Sequence, residues 1–306
     1  MRVLVVGAGA TGGYFGGRLL QAGNDVTFLV RGRRAAQLSD RGLVIRSPNG
    51  SVTLKDPPII QAGQISSPFD LIMLSCKAFD LNDAMASFAP AVGPDSAILP
   101  LLNGIRHLDL LDEKFGAKQV LGGLCSIIAT LNEESEIVQM QPMQSVRYGE
   151  RDGTMSPRLR AIDAIFTTAI AGAAASGDVL ADMWAKWAFL ASLATTTCLM
   201  RAAIGTILAV PGGRAFILAA LDETVAVASA CGFPPSGPWF EETRNMLTTE
   251  GAPTTASMFR DIEAGHRVEA DHILGDLITR AEAHGVVVPN LRLAYINLKA
   301  YEERRG

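Results

Sequence analysis

The chain of 306 residues predicts an α/β fold: a doubly wound sheet in its N-terminal half, followed by an all-α C-terminal half. Three observations predict it. Short β-branched runs alternate with helical patterns along the first half. A glycine-rich turn joins the first run to the first helix. Strand signals nearly vanish after about residue 155.

Residues 2–6 (RVLVV) read as a buried strand, since they form an apolar, β-branched run that ends in glycine. A helix with one small-residue side follows over 11–21, ended by Ala22-Gly23-Asn24. Residues 25–30 (DVTFLV) are a second strand, so the opening is one βαβ unit. Segments 43–45 and 52–54 read as short strands around the turn Pro48-Asn49-Gly50. A buried strand over 70–75, a helix over 80–88 and a strand over 97–102 come next, with Pro100 near the end of the last and Asn103-Gly104 just after it. Residues 120–149 read as meandering antiparallel strands at the edge of that sheet. Helices are expected over 159–171, 179–200, 214–230, 239–247, 270–283 and 291–303. The expected domains are therefore 1–168 and 169–306.

Composition narrows the function. The chain is 48% hydrophobic and 19% charged, enough for a sizeable core and unlike a disordered chain. Its net charge of −4 and lack of clustered Lys and Arg argue against a nucleic-acid partner. Cys76, Cys125, Cys198 and Cys231 are widely spaced, as expected of reduced thiols in a cytoplasmic protein. The first strand runs straight into a glycine turn, which does not read as a signal peptide. The apolar stretch 187–200 lies between Lys186 and Arg201; it is too short to span a bilayer and reads as a buried helix, so no membrane partner is expected. His107, His266, His272 and His284 are scattered through polar segments and read as surface residues, so no metal site is expected. The surplus of apolar sequence in the helical half is compatible with a homodimer.

The first turn carries the chemistry. Gly7-Ala8-Gly9-Ala10-Thr11-Gly12 is a complete GxGxxG between a strand and a helix, which makes the opening a Rossmann-type dinucleotide unit. The first glycine permits the turn, the second lets a pyrophosphate reach the backbone, and the third lets helix and strand pack closely. Free N–H groups at the helix start then face the phosphates. NAD enzymes of this type place Asp or Glu at the end of the second strand; this chain has Arg31 there, with Arg33 or Arg34 expected in support. A guanidinium can pair with a ribose 2′-phosphate that a carboxylate would repel, so the cofactor reading is NADPH/NADP+. The alternative is a solvated arginine turn. Lys77 and Asn103 follow two later strands, at the strand ends where open parallel sheets bind ligands. Lys77 suits a phosphate or a substrate carboxylate, and Asn103 the nicotinamide ribose or the substrate; each is equally compatible with an ordinary loop.

With these residues in place the sequence resembles the ketopantoate reductases (2-dehydropantoate 2-reductases). The resemblance spans nearly the whole chain, through VVGAGATGGYFGGRL, SCKAFD with Lys77, LPLLNGI with Asn103, MWAKW with Lys186, and SMFRDIEAGHRVEADHILGDLITRAEAHGVVVP with Ser257 and Glu269. It implies NADPH-dependent reduction of a 2-oxo acid to a 2-hydroxy acid, as in the pantothenate-forming conversion of ketopantoate to pantoate. By this resemblance Lys186 is the general acid and Glu269 orients it or meets the substrate hydroxyl. Ser257 and Asn103 hold substrate polar groups, and Lys77, Asn103 and Glu269 also border the cofactor. Lys186 lies in an apolar helix, where burial is expected to lower its pKa. A plain i,i+4 pair with Asp182 is the other reading. The sequence departs from the family where asparagines commonly line the pocket: Leu190, Ala194, Ile204 and Thr254 stand there. Their loss predicts a changed substrate preference. A dehydrogenase of another hydroxy acid or alcohol, and a non-catalytic NADP(H) sensor, are the competing readings.

Overall fold

The structure, a computed structural model, describes residues 1–305. The chain forms two compact units: Met1–Leu102 with His107–Val179, and Asn103–Arg106 with the chain from Leu180 onward.

The first unit begins with β1 (Arg2–Val6), α1 (Ala10–Gln21), β2 (Asp25–Leu29), α2 (Gly32–Arg41), β3 (Leu43–Arg46), β4 (Val52–Leu54) and β5 (Ile59–Ile60). It continues through β6 (Leu71–Leu74), α3 (Leu81–Phe88), β7 (Ala97–Pro100), α4 (Arg106–Phe115), β8 (Gly122–Leu131), β9 (Ile137–Gly149), α5 (Pro157–Ala169) and β10 (Ala173–Ala175). One sheet is wholly parallel, in the order β5-β2-β1-β6-β7. Its central strands are apolar on both faces: Val3–Val6 and Leu71–Leu74 are all buried. That is why they appear in the sequence as continuous apolar runs rather than alternating ones.

The segment expected at the edge of this sheet instead builds a second one. β8 and β9 form a long antiparallel ladder, irregular between Ile127 and Ala129. β9 also pairs in parallel with β3 through Ile45 and Ile137, and with β10 through Val146 and Ala173. The two short strands expected around Pro48-Asn49-Gly50 are present and pair antiparallel. The glycines of α1 explain how one helix serves both sheets. A Cβ on Gly16 would lie 2.8 Å from Phe28 and Val5, and one on Gly13 would lie 2.5 Å from Ile137 Cδ1. Any side chain there would push a sheet away.

The second unit is helical: α6 (Val179–Met200), α7 (Ile204–Leu208), α8 (Gly213–Ala230), α9 (Gly237–Leu247), α10 (Ser257–Glu263), α11 (Asp276–Ala283) and α12 (Pro289–Arg305). A π-helical turn, Asp271–Gly275, runs directly into α11. Trp187, Ala188, Ala191, Leu193 and Ala194 put the apolar side of α6 in the core. Glu223 of α8 caps α12, accepting from the main-chain N–H groups of Asn290 and Leu291, both at 3.0 Å. Among the described residues no helix is long and apolar enough to cross a membrane.

Candidate active site

The glycine turn is built as the motif requires. Gly7 has a φ of +92°, and its N–H donates to Leu29 O at 3.0 Å, tying the turn to β2. A Cβ on Gly12 would lie 2.1 Å from Ser75 Oγ and 2.4 Å from Gly7 O, so the α1 side of the turn is closed. Ser75 Oγ itself donates to Val6 O at 3.2 Å. Above Gly9 the space is open: no atom lies within 4 Å of a Cβ built there. Ala8 is buried, Ala10 and Thr11 are half-buried, and α1 starts at Ala10 with no side-chain cap on its first-turn N–H groups. A turn packed tightly below and open above, over uncapped N–H groups, fits a dinucleotide pyrophosphate.

The arginines divide the work. Arg31 precedes α2 with its side chain 73% exposed, and Nη2 lies 3.1 Å from Asp80 Oδ1 and 3.9 Å from Asp83 Oδ2. Arg34 turns inward. Its Nε donates to Ala8 O at 3.0 Å and its Nη1 to Ser135 O at 2.8 Å, while its Nη2 is buried without a hydrogen-bond partner. Burial holds this guanidinium below its usual pKa. Arg34 therefore braces the glycine turn, rather than standing with Arg31 as the sequence reading allowed. Arg33 is exposed. Lys77 is exposed just past β6, before the 3₁₀ turn Ala78–Asp80.

A second cluster lies within the second unit. Lys186 is half-buried on α6 between Trp184 and Trp187, whose ring centroids are 4.9 Å apart. Trp187 Nε1 donates to Ile273 O at 3.0 Å, fastening α6 to the π-helical turn. Lys186 Nζ donates to Asn103 Oδ1 at 2.9 Å. Asn103 lies in the turn after β7, and Gly104 beside it has a φ of +72°. Glu269 is buried at 9% exposure just before the π-helical turn.

His272 corrects the reading of all four histidines as surface residues. It is only 7% exposed, and His107 is fully buried. The His272 ring donates to the main-chain carbonyl of Asn103. A Cβ on Gly104 would lie 3.2 Å from His272 Cδ2 and 3.3 Å from Nε2. Burial pushes the imidazole pKa down, partly opposed by the Glu269 carboxylate and by the bond to Asn103. The one available signal was its spacing: His272 stands three residues after Glu269.

The structure thus brings Lys186, Asn103 and His272 together, with Glu269 acting on the histidine. Ser257 is exposed on the first turn of α10. Leu190 and Ala194 follow Lys186 at four-residue steps along α6. Ile204 N donates to Thr254 O at 3.0 Å, so two of the positions that depart from asparagine meet through their main chains.

Comparisons place this chain among known proteins. Residues 3–153 match the family described as ketopantoate reductase PanE/ApbA, and residues 178–302 match its C-terminal counterpart. The chain is 38% identical to the uncharacterized oxidoreductase YkpB of Bacillus subtilis, over 100% of both chains. It is 26% identical to a 2-dehydropantoate 2-reductase of Halobacterium salinarum, over 95% of this chain and 96% of the relative. The crystal structure of 2-dehydropantoate 2-reductase from Geobacter metallireducens superposes with a TM-score of 0.89 at 25% identity, covering 98% of this chain and 99% of that one. A D-mandelate dehydrogenase solved with NADH and anilino(oxo)acetate shares the fold, with a TM-score of 0.88 at 20% identity over 100% of this chain and 99% of that one.

Proposed function

This chain belongs to the ketopantoate reductase family and is an oxidoreductase acting on a CH–OH group; we propose that it reduces a 2-oxo acid to the 2-hydroxy acid with NADPH. The observation that carries the reading is the 2.9 Å bond between Lys186 Nζ and Asn103 Oδ1.

The residues suit the reaction. NADPH, when bound on the Gly7–Gly12 turn, supplies a hydride to the carbonyl carbon. Negative charge then builds on the carbonyl oxygen, and the Lys186 ammonium stabilises it and donates a proton from Nζ. An ammonium has three N–H donors. Asn103 takes one of them and fixes the direction of the others. The family resemblance assigns Glu269 to orienting the ammonium or meeting a substrate hydroxyl, Ser257 to a polar group of the substrate, and Lys77 to the substrate or the cofactor. The mandelate dehydrogenase neighbour was solved with NADH. The preference for NADPH in this chain rests on Arg31, an exposed guanidinium where NAD enzymes keep a carboxylate.

Ketopantoate offers a hydroxyl that family asparagines can bind. Leu190 brings no such donor, and Ala194 and Ile204 are apolar and packed in the core, so the favoured substrate is a 2-oxo acid with an apolar side chain. Following NADPH loss over a panel of 2-oxo acids that includes ketopantoate tests this. Turnover of apolar 2-oxo acids above ketopantoate is the expected result. Tight NADPH binding without turnover of any member would point to a sensor instead.

A further inference from the structure

The proposed reaction uses Lys186, Asn103 and Glu269, yet the structure buries a fourth polar side chain against the Asn103–Gly104 turn. His272 is nearly inaccessible. Its ring lies under the Asn103–Gly104 turn, with the Cδ2–Nε2 edge closest to the place a Gly104 Cβ would occupy. The ring donates to the Asn103 carbonyl, while the side chain of the same asparagine accepts from Lys186. One residue is thereby held from both ends, by histidine at its main chain and by lysine at its amide.

Gly104 makes this approach obligatory. Its φ of +72° suits glycine, and its missing side chain lets the imidazole in. The charged groups acting on the ring are Glu269 on the preceding residues, Asp276 at the start of α11 and Arg106 at the start of α4. Trp187 holds the π-helical turn that carries His272 by donating to Ile273 O at 3.0 Å. The ring is therefore fixed on the α6 side as well.

We infer that His272 is a positioning residue for the reduction: its hydrogen bond to the Asn103 carbonyl sets the direction of the Asn103 amide, and through it the direction in which Lys186 delivers its proton. This rests on the proposed role of Lys186. A buried neutral donor suits the task, because it anchors a carbonyl without placing a second cation beside the lysine. The turn alone would leave Asn103 free to rock about Gly104, and small misplacements of a proton donor are costly in rate.

The test compares His272→Leu and His272→Met, which remove the donor, with His272→Gln, whose amide can reach the position of Nε2. Each variant is assayed for kcat, KM, NADPH affinity and Tm, and the Lys186 Cε signal is followed by NMR in the full-length protein. The apolar variants should lose about tenfold in kcat, with KM and NADPH affinity held, and should shift the Lys186 signal. His272→Gln should recover most of both. Unchanged kcat and an unmoved Lys186 signal in the apolar variants would overturn the inference. So would a His272→Gln variant as impaired as the apolar pair, since the histidine would then matter only for packing. If the wild-type protein turns over no 2-oxo acid while the Lys186 signal responds to these substitutions as described, the proposed reaction fails and the positioning relation stands.

Discussion

Lys186 Nζ and Asn103 Oδ1 lie 2.9 Å apart although 83 residues separate them in sequence. Asn103 comes from the turn that ends the parallel sheet, yet it is compact with the helical unit rather than with the strands before it. Within that unit the Asn103 amide oxygen accepts from the ammonium carried by α6.

This pairing sets the first prediction. Lys186→Ala should lower kcat by about 10² to 10⁴-fold and leave NADPH affinity unchanged, since the lysine is assigned to proton transfer. Asn103→Ala should cost less, on the order of tenfold, because the ammonium remains but loses its direction. Steady-state kinetics with a turned-over 2-oxo acid, alongside fluorescence titration of NADPH, decides it. An active Lys186→Ala enzyme would remove the lysine from the mechanism.

The glycine turn makes two opposite forecasts. At Gly12 a Cβ would strike Ser75 Oγ at 2.1 Å and the Gly7 carbonyl at 2.4 Å. Gly12→Ala should therefore destabilise the fold by about 1–3 kcal/mol. Adding Ser75→Ala should not restore it, because the clash with the backbone oxygen remains. At Gly9 a Cβ meets nothing within 4 Å. Gly9→Ala should melt as the parent does and yet bind NADPH at least tenfold more weakly, as the added methyl occupies the approach of the pyrophosphate. Equal NADPH affinity in Gly9→Ala would place the cofactor elsewhere.

Arg31 carries the choice of cofactor, and it is held at the surface by carboxylates at 3.1 and 3.9 Å, from Asp80 and Asp83. Exposed pairs of this kind contribute little to stability. They do compete with any phosphate for the guanidinium. Arg31→Asp should weaken NADPH far more than NADH. Asp80→Asn should strengthen NADPH a few-fold at low salt with little change in Tm, and the gain should shrink as salt rises. Parallel losses for both cofactors in Arg31→Asp would refute the 2′-phosphate role.

The parts of this molecule that were legible in sequence are those set by local pattern. β1, α1 and β2 follow from an apolar run, a glycine turn and a second apolar run, and the long helix α6 matches its expected span of 179–200. α2 was missed because GRRAAQLSDR is almost wholly polar and buries only Ala35 and Leu38. α4 was missed as well, although Leu108 and Leu111 mark its buried side. The second sheet escaped because its order depends on β9 meeting β3 and β10 across long stretches of chain, which no local period records. His272 escaped for a similar reason. Its segment is polar, and its burial comes from the Asn103–Gly104 turn, distant in sequence.

Acid should loosen the first unit through one carboxylate. Arg158 donates to Glu150 through Nε at 2.7 Å and Nη2 at 2.6 Å, and Ser156 Oγ adds a third bond at 2.6 Å. The Arg158 hydrogen bonds hold the Glu150 carboxyl below its ordinary pKa of 4.5. The unfolded chain therefore binds this proton more readily than the folded one. Its contribution is fully present above the ordinary value and is lost as pH falls through the lowered folded value. Glu150→Gln should lose about 1–2 kcal/mol at neutral pH and show a shallower fall of Tm below about pH 4.5. An acid limb as steep in the variant as in the parent would assign the acid sensitivity to other groups.

The substrate preference turns on α6. Leu190 is half-buried one helical turn beyond Lys186, whereas Ala194, a further turn on, is fully packed at 1% exposure. The two positions should respond differently to asparagine. At position 194 an amide has no room and would be buried in the core, so Ala194→Asn should destabilise the protein before it informs on specificity. At position 190 an amide replaces a leucine that is partly open to solvent, at a cost the fold can bear. If ketopantoate is disfavoured because its hydroxyl finds no partner, Leu190→Asn should raise kcat/KM for ketopantoate relative to an apolar 2-oxo acid by about tenfold or more. The comparison needs both substrates in one preparation, since a general loss of activity would lower both rates together. An unchanged ratio would mean that Leu190 does not meet the part of the substrate by which the two acids differ.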